Sequence, residues 1–268
     1  RVHLYSVCMD TTNTESFQGQ RRGLLRPIRD VSQILELWRS NRRIYPNVQL
    51  DQVLDAESSQ FGDWPAGLDP TLRNAMEARG VSKLYTHQSI ACEAAMRGEH
   101  VVVATPTASG KSVCFNLPVL DALSKNRSAR ALYLFPTKAL SRDQEEALRK
   151  LMGEAGMSHG AITYDGDTPG DARKIAKERA GIMITNPDML HAGILPHHAQ
   201  WARLFSELKY VVIDELHTYR GVFGSHLANL MRRLQRIARF HGANPQFIMA
   251  SATIGNPKVH AESLIGAP

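Results

Sequence analysis

The sequence predicts an α/β fold: a mostly parallel, doubly wound sheet with helices on both faces, preceded by a small N-terminal accessory segment. Three observations carry this expectation. Six short runs, at 100–105, 130–135, 160–164, 181–185, 209–213 and 246–250, are continuously apolar rather than alternating, as in strands covered on both faces. Helical spacing fills the gaps between them, at 87–97, 112–124, 140–152, 170–179 and 226–240. Polar turns follow several of the runs, and in doubly wound sheets ligands bind beyond the carboxyl ends of the strands.

The elements follow in order. Residues 1 to about 62 carry little pattern. Within them, 30–40 has apolar residues at 31, 34, 35 and 38, which is helical spacing. Arg21, Arg22, Arg26, Arg29, Arg39, Arg42 and Arg43 make this segment basic, which fits a phosphate-contacting arm or a solvated accessory face. Residues 61–67 read as a linker before a helix near 70–79, so an accessory segment over 1–63 and a main domain over 64–268 are expected. In the helix at 226–240, Leu227, Leu230, Met231, Leu234 and Ile237 share a packed face, and Arg232, Arg233, Arg236 and Arg239 form a solvated basic side. His191, His197 and His198 lack the partners of a metal site and read as surface histidines.

Composition bounds the possibilities. A chain of 268 residues with 43% hydrophobic content is globular rather than disordered. Its net charge of +6 fits a polyanionic partner without proving one. No apolar run approaches the roughly 18 residues of a membrane span, and no signal-peptide pattern is present. Cys8, Cys92 and Cys114 make no CxxC pair, which argues against a zinc or iron–sulfur site and suits a reducing, cytoplasmic setting. A chain that begins at Arg1 without Met and stops at Pro268 reads as a fragment of a longer protein.

Two segments carry the chemistry. The first is VVVATPTASGKS at 101–112, an apolar run entering a loop that ends Gly110-Lys111-Ser112. Backbone N–H groups over Thr105, Pro106, Thr107, Ala108, Ser109 and Gly110, with the following helix start, would wrap a nucleoside triphosphate; Pro106 itself contributes no N–H. Lys111 would reach the β- and γ-phosphates and the Ser112 hydroxyl would ligate Mg²⁺. The generic GxxxxGK[ST] pattern needs Gly where this chain has Thr105, but Gly110 still permits close backbone approach. The second segment is VVIDELH at 211–217. Asp214 would hold Mg²⁺ opposite Ser112, Glu215 would orient or deprotonate the attacking water, and His217 would sense the γ-phosphate or couple to its neighbours.

Further turns are weaker singly. Tyr85 and Gln88 lie about twenty residues before the phosphate loop; a Gln amide pairs bidentately with adenine, or these residues simply begin a helix. Thr137 and Lys138, Gly166 and Asp167, and Thr185 and Asn186 each follow a strand, the arrangement a backbone-tracking groove for single-stranded nucleic acid requires. Ser251 and Thr253 follow the last strand, where two hydroxyls would bridge Asp214 or His217 to a moving part.

Taken together, these residues resemble the first, RecA-like motor domain of a superfamily 2 helicase of the DExH type, over about 64–268. The segment 85–88 resembles the adenine-reading Q motif and 105–112 resembles motif I, with Ala108 where many members have Gly. The segments 136–140, 185–190, 214–217 and 251–253 resemble motifs Ia, Ib, II and III. PTASGKSVCFNLPVL and ELHTYRGVFGSHLANLMRRLQRI are similar to DNA helicases related to the bacterial mitomycin-repair helicase and the fungal Hrq-type RecQ-like enzymes. That resemblance implies ATP and Mg²⁺ as cofactors, single-stranded or forked DNA as partner, 3′-to-5′ movement and a role in DNA repair. It also implies a second motor domain supplying an arginine finger, and a cysteine-rich zinc module, neither of which lies in this sequence. An RNA helicase would share every motif, and a nucleotide-switched binding module is a rival of another class.

Overall fold

The computed structural model describes residues 2–7, 31–54 and 59–266. They fall into two units, Arg1–Ser59 and Gln60–Pro268. In the first, β1 (Val2–Val7) pairs antiparallel with β2 (Val48–Leu54), and α1 (Val31–Ser40) occupies the expected helical stretch between them. The pairing was not legible in sequence because its strands are separated by some forty residues, so no short-turn hairpin signal joins them. Cys8, Arg21, Arg22, Arg26 and Arg29 lie outside the described residues.

The second unit begins with β3 (Phe61–Gly62), which pairs antiparallel with β4 (Leu84–Tyr85). The expected linker at 61–67 is therefore corrected at its start: Phe61 and Gly62 belong to the unit that follows. Between these strands lies α2 (Pro70–Ala78), started by Pro70 and capped by Asp69, whose carboxylate accepts from Thr71 N–H at 2.9 Å.

The rest alternates as expected: α3 (Thr86–Met96), β5 (Val101–Ala104), α4 (Lys111–Lys125), β6 (Arg130–Leu134), α5 (Lys138–Glu154), β7 (Gly160–Thr163), α6 (Gly170–Arg179) and β8 (Ala180–Thr185). An irregular helical passage follows, opening with α7 (Pro187–Met189) and ending in α8 (Ala202–Ser206); its mixed turns left no regular period to read. Then come β9 (Leu208–Ile213), α9 (Gly221–Phe240), β10 (Gln246–Ser251) and α10 (Pro257–Ile265). Helix α9 starts five residues before its expected start at 226.

Six strands form one parallel sheet in the order β5-β10-β9-β6-β8-β7. Alternate residues face opposite layers. Val103, Tyr133, Ile184, Val212 and Ala250 join a core under α2 to α5. Leu132, Met183, Val211, Phe247 and Met249 join another under α9 and α10. Both cores are apolar, which explains strands read as continuous apolar runs. Each large side chain so buried contributes about 1.5–3 kcal/mol. The packing is tight: a Cβ on Gly181 would meet Leu123 Cδ2 at 2.7 Å.

Helix α4 contains Pro118, which lacks the N–H that would bond the Cys114 carbonyl. The buried Cys92 thiol of α3 lies 3.7 Å from Val113 O and 4.0 Å from Cys114 O, so a weak donor meets the carbonyls of this turn. Burial pushes both thiols upward, Cys114 to about 12, so these cysteines are packing groups and not nucleophiles.

Candidate nucleotide and nucleic-acid site

Strand register brings the two chemical segments together. Ser251 of β10 pairs beside Ala104 of β5, and Met249 beside Ile213 of β9. The phosphate loop leaving β5 and Asp214 leaving β9 are thus two strand spacings apart, about 10 Å, at the same carboxyl edge.

The loop is shaped for an anion. Gly110 has φ of 75°, and a Cβ there would stand 2.6 Å from Gln88 Nε2. Ala108 has φ of 61°, a left-handed conformation that costs a non-glycine residue about 1–2 kcal/mol. Among the described residues, no backbone acceptor takes the N–H groups of Ala108, Ser109 or Gly110. Lys111 Nζ turns into this loop and donates to the carbonyls of Thr105 at 3.0 Å and Pro106 at 2.8 Å. Thr105 Oγ1 and Ser109 Oγ close the loop at 2.6 Å. A turn whose N–H groups lack backbone acceptors, with a cation at its centre, fits a phosphate chain.

Gln88 does not present its amide to a base. Its Oε1 accepts from Tyr85 N–H at 3.0 Å, its Nε2 donates to Gly110 O at 3.0 Å, and the residue is 4% exposed. The expectation of a bidentate adenine pair is corrected on this geometry: the amide clips α3 to the phosphate loop. His87 Nε2 makes a parallel contact to Ser109 O at 3.1 Å. Beside this clip stands an aromatic shelf, with Tyr85 stacked on Phe61 at 5.5 Å and on His87 at 5.8 Å between ring centroids. Phe61 was missed in sequence; its signal is an exposed aromatic on a strand that pairs with Tyr85, visible only once the pairing is known.

Burial pushes Asp214 up to about 6, with the Glu215 charge adding to the rise; Lys111 and the Glu215 N–H, which donates to Oδ1 at 2.8 Å, pull it back. Glu215 sits at φ 51° and ψ 45°, a left-handed turn that stores about 1–3 kcal/mol of strain. His217 Nδ1 lies 3.2 Å from Glu215 Oε2 and 3.3 Å from Ala252 N. Bare, that nitrogen accepts from Ala252; protonated, it donates to Glu215. The ring therefore ties Glu215 to the end of β10, where Ser251 closes the strand and Thr253 follows. Two buried hydroxyls here, Ser251 Oγ and Tyr219 Oη, have no partner among the described residues.

The outer turns are tied to one another. Lys138 Nζ pairs with Asp167 at 2.6 Å, and Arg142 reaches the same carboxylate at 3.9 Å. Thr137 caps α5 through Leu140 N–H at 3.4 Å, and Asn186 caps α7 through Met189 N–H at 2.8 Å. Gly166 lies in a turn whose carbonyl accepts from Arg173 at 3.2 Å. Thr185 is corrected: its hydroxyl donates to Tyr164 O at 2.6 Å and the residue is 1% exposed, so its side chain braces two strands and faces no groove.

The sequence family described as DEAD/DEAH box helicase matches residues 85–261, from the aromatic shelf to α10. The chain belongs to the DEAD/DEAH box helicases. Within this family it is 53% identical over 204 residues to the uncharacterized ATP-dependent helicase YprA of Bacillus subtilis (strain 168), covering 76% of this chain and 27% of that one. It is 35% identical over 243 residues to the ATP-dependent helicase HRQ1 of Saccharomyces cerevisiae (strain ATCC 204508 / S288c), covering 89% and 22%. A crystal structure of the DUF1998 helicase MrfA bound to DNA and AMPPNP superposes with a TM-score of 0.78 at 51% identity, over 80% of this chain and 30% of that one. The sheet and its flanking helices are thus a RecA-like helicase domain, and the resemblance to mitomycin-repair and Hrq-type helicases is borne out. The chain spans between a fifth and a third of the length of these relatives.

Proposed function

We propose that this chain is the ATP-binding motor domain of an ATP-dependent helicase that moves on single-stranded DNA, with a role in DNA repair. The observation that supports it most is the meeting, at one sheet edge, of the phosphate loop carrying Lys111 and the Asp214-Glu215 turn. DNA rather than RNA is supported by the DNA-bound MrfA structure at 51% identity.

In this reading the loop N–H groups and Lys111 hold the triphosphate, the lysine leaving the Thr105 and Pro106 carbonyls to do so. The purine rests on the Phe61–Tyr85 shelf. Ser112 and Asp214 would hold Mg²⁺, which supplies charge neutralisation at the phosphates. Glu215 orients and deprotonates the attacking water. His217 passes the change at Glu215 to the 251–253 loop. Thr137, Lys138, Gly166, Asp167 and Asn186 line the strand's path, Lys138 exchanging Asp167 for phosphate. Backbone contacts of this kind carry little sequence preference.

The test is steady-state ATPase of the full-length protein with single-stranded DNA, with RNA and with neither, beside Glu215→Gln. DNA-only stimulation that disappears in the variant is expected. Stimulation by RNA alone assigns the motor to RNA, and no stimulation by either returns the domain to a nucleotide switch.

A further inference from the structure

Between Glu215 and Glu262 the chain has no carboxylate side chain, yet it carries Arg220, Arg232, Arg233, Arg236, Arg239 and Lys258. Three of these arginines converge on a groove of about 590 Å³ between α9 and the α7 turn. Arg232, Arg233 and Arg236 form its rim together with His191 and His226, and Asp188 is its sole carboxylate. Some exposed cations elsewhere are neutralised, as in Arg73–Glu77, Arg97–Glu99, Lys138–Asp167 and Arg149–Glu145. Among the described residues, none of these three arginines has an ion-pair partner; Arg232 donates to the neutral amide of Asn229 at 2.9 Å. The floor is apolar, from Leu227, Leu230 and Pro187, and Phe223 stands at its mouth with 42% of its surface exposed.

We infer that this groove is a second phosphate-binding track for single-stranded DNA, running on from the turn that carries Asn186. The inference rests on the DNA-motor reading. The occupant follows from the lining. Unneutralised guanidinium groups match phosphates bidentately, and an exposed ring beside an apolar floor offers a stacking face for a base. Continuity supplies the route, because Pro187, Asp188 and His191 of the groove wall directly follow Asn186. The sequence showed a basic helix side but not that a facing turn makes it a groove.

The test uses the full-length protein and fluorescently labelled oligo(dT) without nucleotide, over a series of salt concentrations. Arg232→Ala/Arg233→Ala/Arg236→Ala should weaken binding about tenfold or more at moderate salt. It should also make the plot of log affinity against log salt shallower by about 2, at roughly 0.7 per lost phosphate contact. Arg232→Lys/Arg233→Lys/Arg236→Lys should keep most of the slope, and Arg236→Ala alone should lose about 0.7 of it. An unchanged slope in the alanine triple variant, while wild type binds DNA, overturns the groove and leaves the motor reading intact. Wild type that binds no nucleic acid overturns both.

Discussion

At the scale of single residues, the site departs from stable-protein chemistry at Asp214, Glu215 and Ala108. Burial raises Asp214 from 3.8 to about 6, so the folded state binds its proton more tightly than the unfolded state. Stability is therefore lost as pH rises between those values, and the full cost is present above about 6. The rise corresponds to a cost on the order of 3 kcal/mol. Asp214→Asn should raise the melting temperature at pH 8 and lose that gain near pH 4, while ending ATP hydrolysis; melting curves at both pH values check the sign. Ala108 is a second case. Relief of its left-handed backbone by Ala108→Gly is worth about 1–2 kcal/mol, and the freer unfolded chain returns about 0.4–1 of that. A net stabilisation below about 1.5 kcal/mol is expected in denaturant unfolding, and a net destabilisation would show that the loop does not hold this conformation.

At the scale of elements, the phosphate loop is positioned by α3 as much as by β5 and α4. Gln88 satisfies the Tyr85 N–H and the Gly110 carbonyl at once. Gln88→Ala leaves both groups to find other partners, a loss of about 1–3 kcal/mol where they stay buried. The variant should lower the melting temperature and weaken every nucleoside triphosphate alike, because the amide shapes the loop and reads no base. Nucleotide titrations with ATP and GTP check this: selective loss of ATP would restore the adenine-pairing role. Sequence spacing could place Gln88 at the start of a helix, but it could not show which way the amide pointed.

At the scale of the whole molecule, the chain spans only part of its relatives' length, and we propose that a second motor domain completes the ATP site. An arginine finger from a second domain is worth roughly 10³–10⁵ in turnover in phosphoryl-transfer enzymes. The 268-residue chain alone should bind ATP weakly, hydrolyse it slowly and unwind nothing, as measured by ATPase and strand-displacement assays beside the full-length protein. Vigorous DNA-stimulated turnover by this chain alone would remove the need for a second domain.

The six strands, the helices α1 to α6, most of α9 and the phosphate and carboxylate segments were legible in the residues alone, because continuous apolar runs and glycine-bearing turns are local signals; α7, α8 and α10 were not. The sequence did not reveal the β1–β2 pairing, the strand nature of Phe61, the committed amide of Gln88 or the buried hydroxyl of Thr185. Each of those depends on a partner distant in sequence or on the direction a side chain takes after packing. Strand order in the sheet brought Lys111 toward Asp214, and the α7 turn made a groove of a basic helix side. Periodicity fixes which face of an element is apolar; only packing decides what the polar face meets.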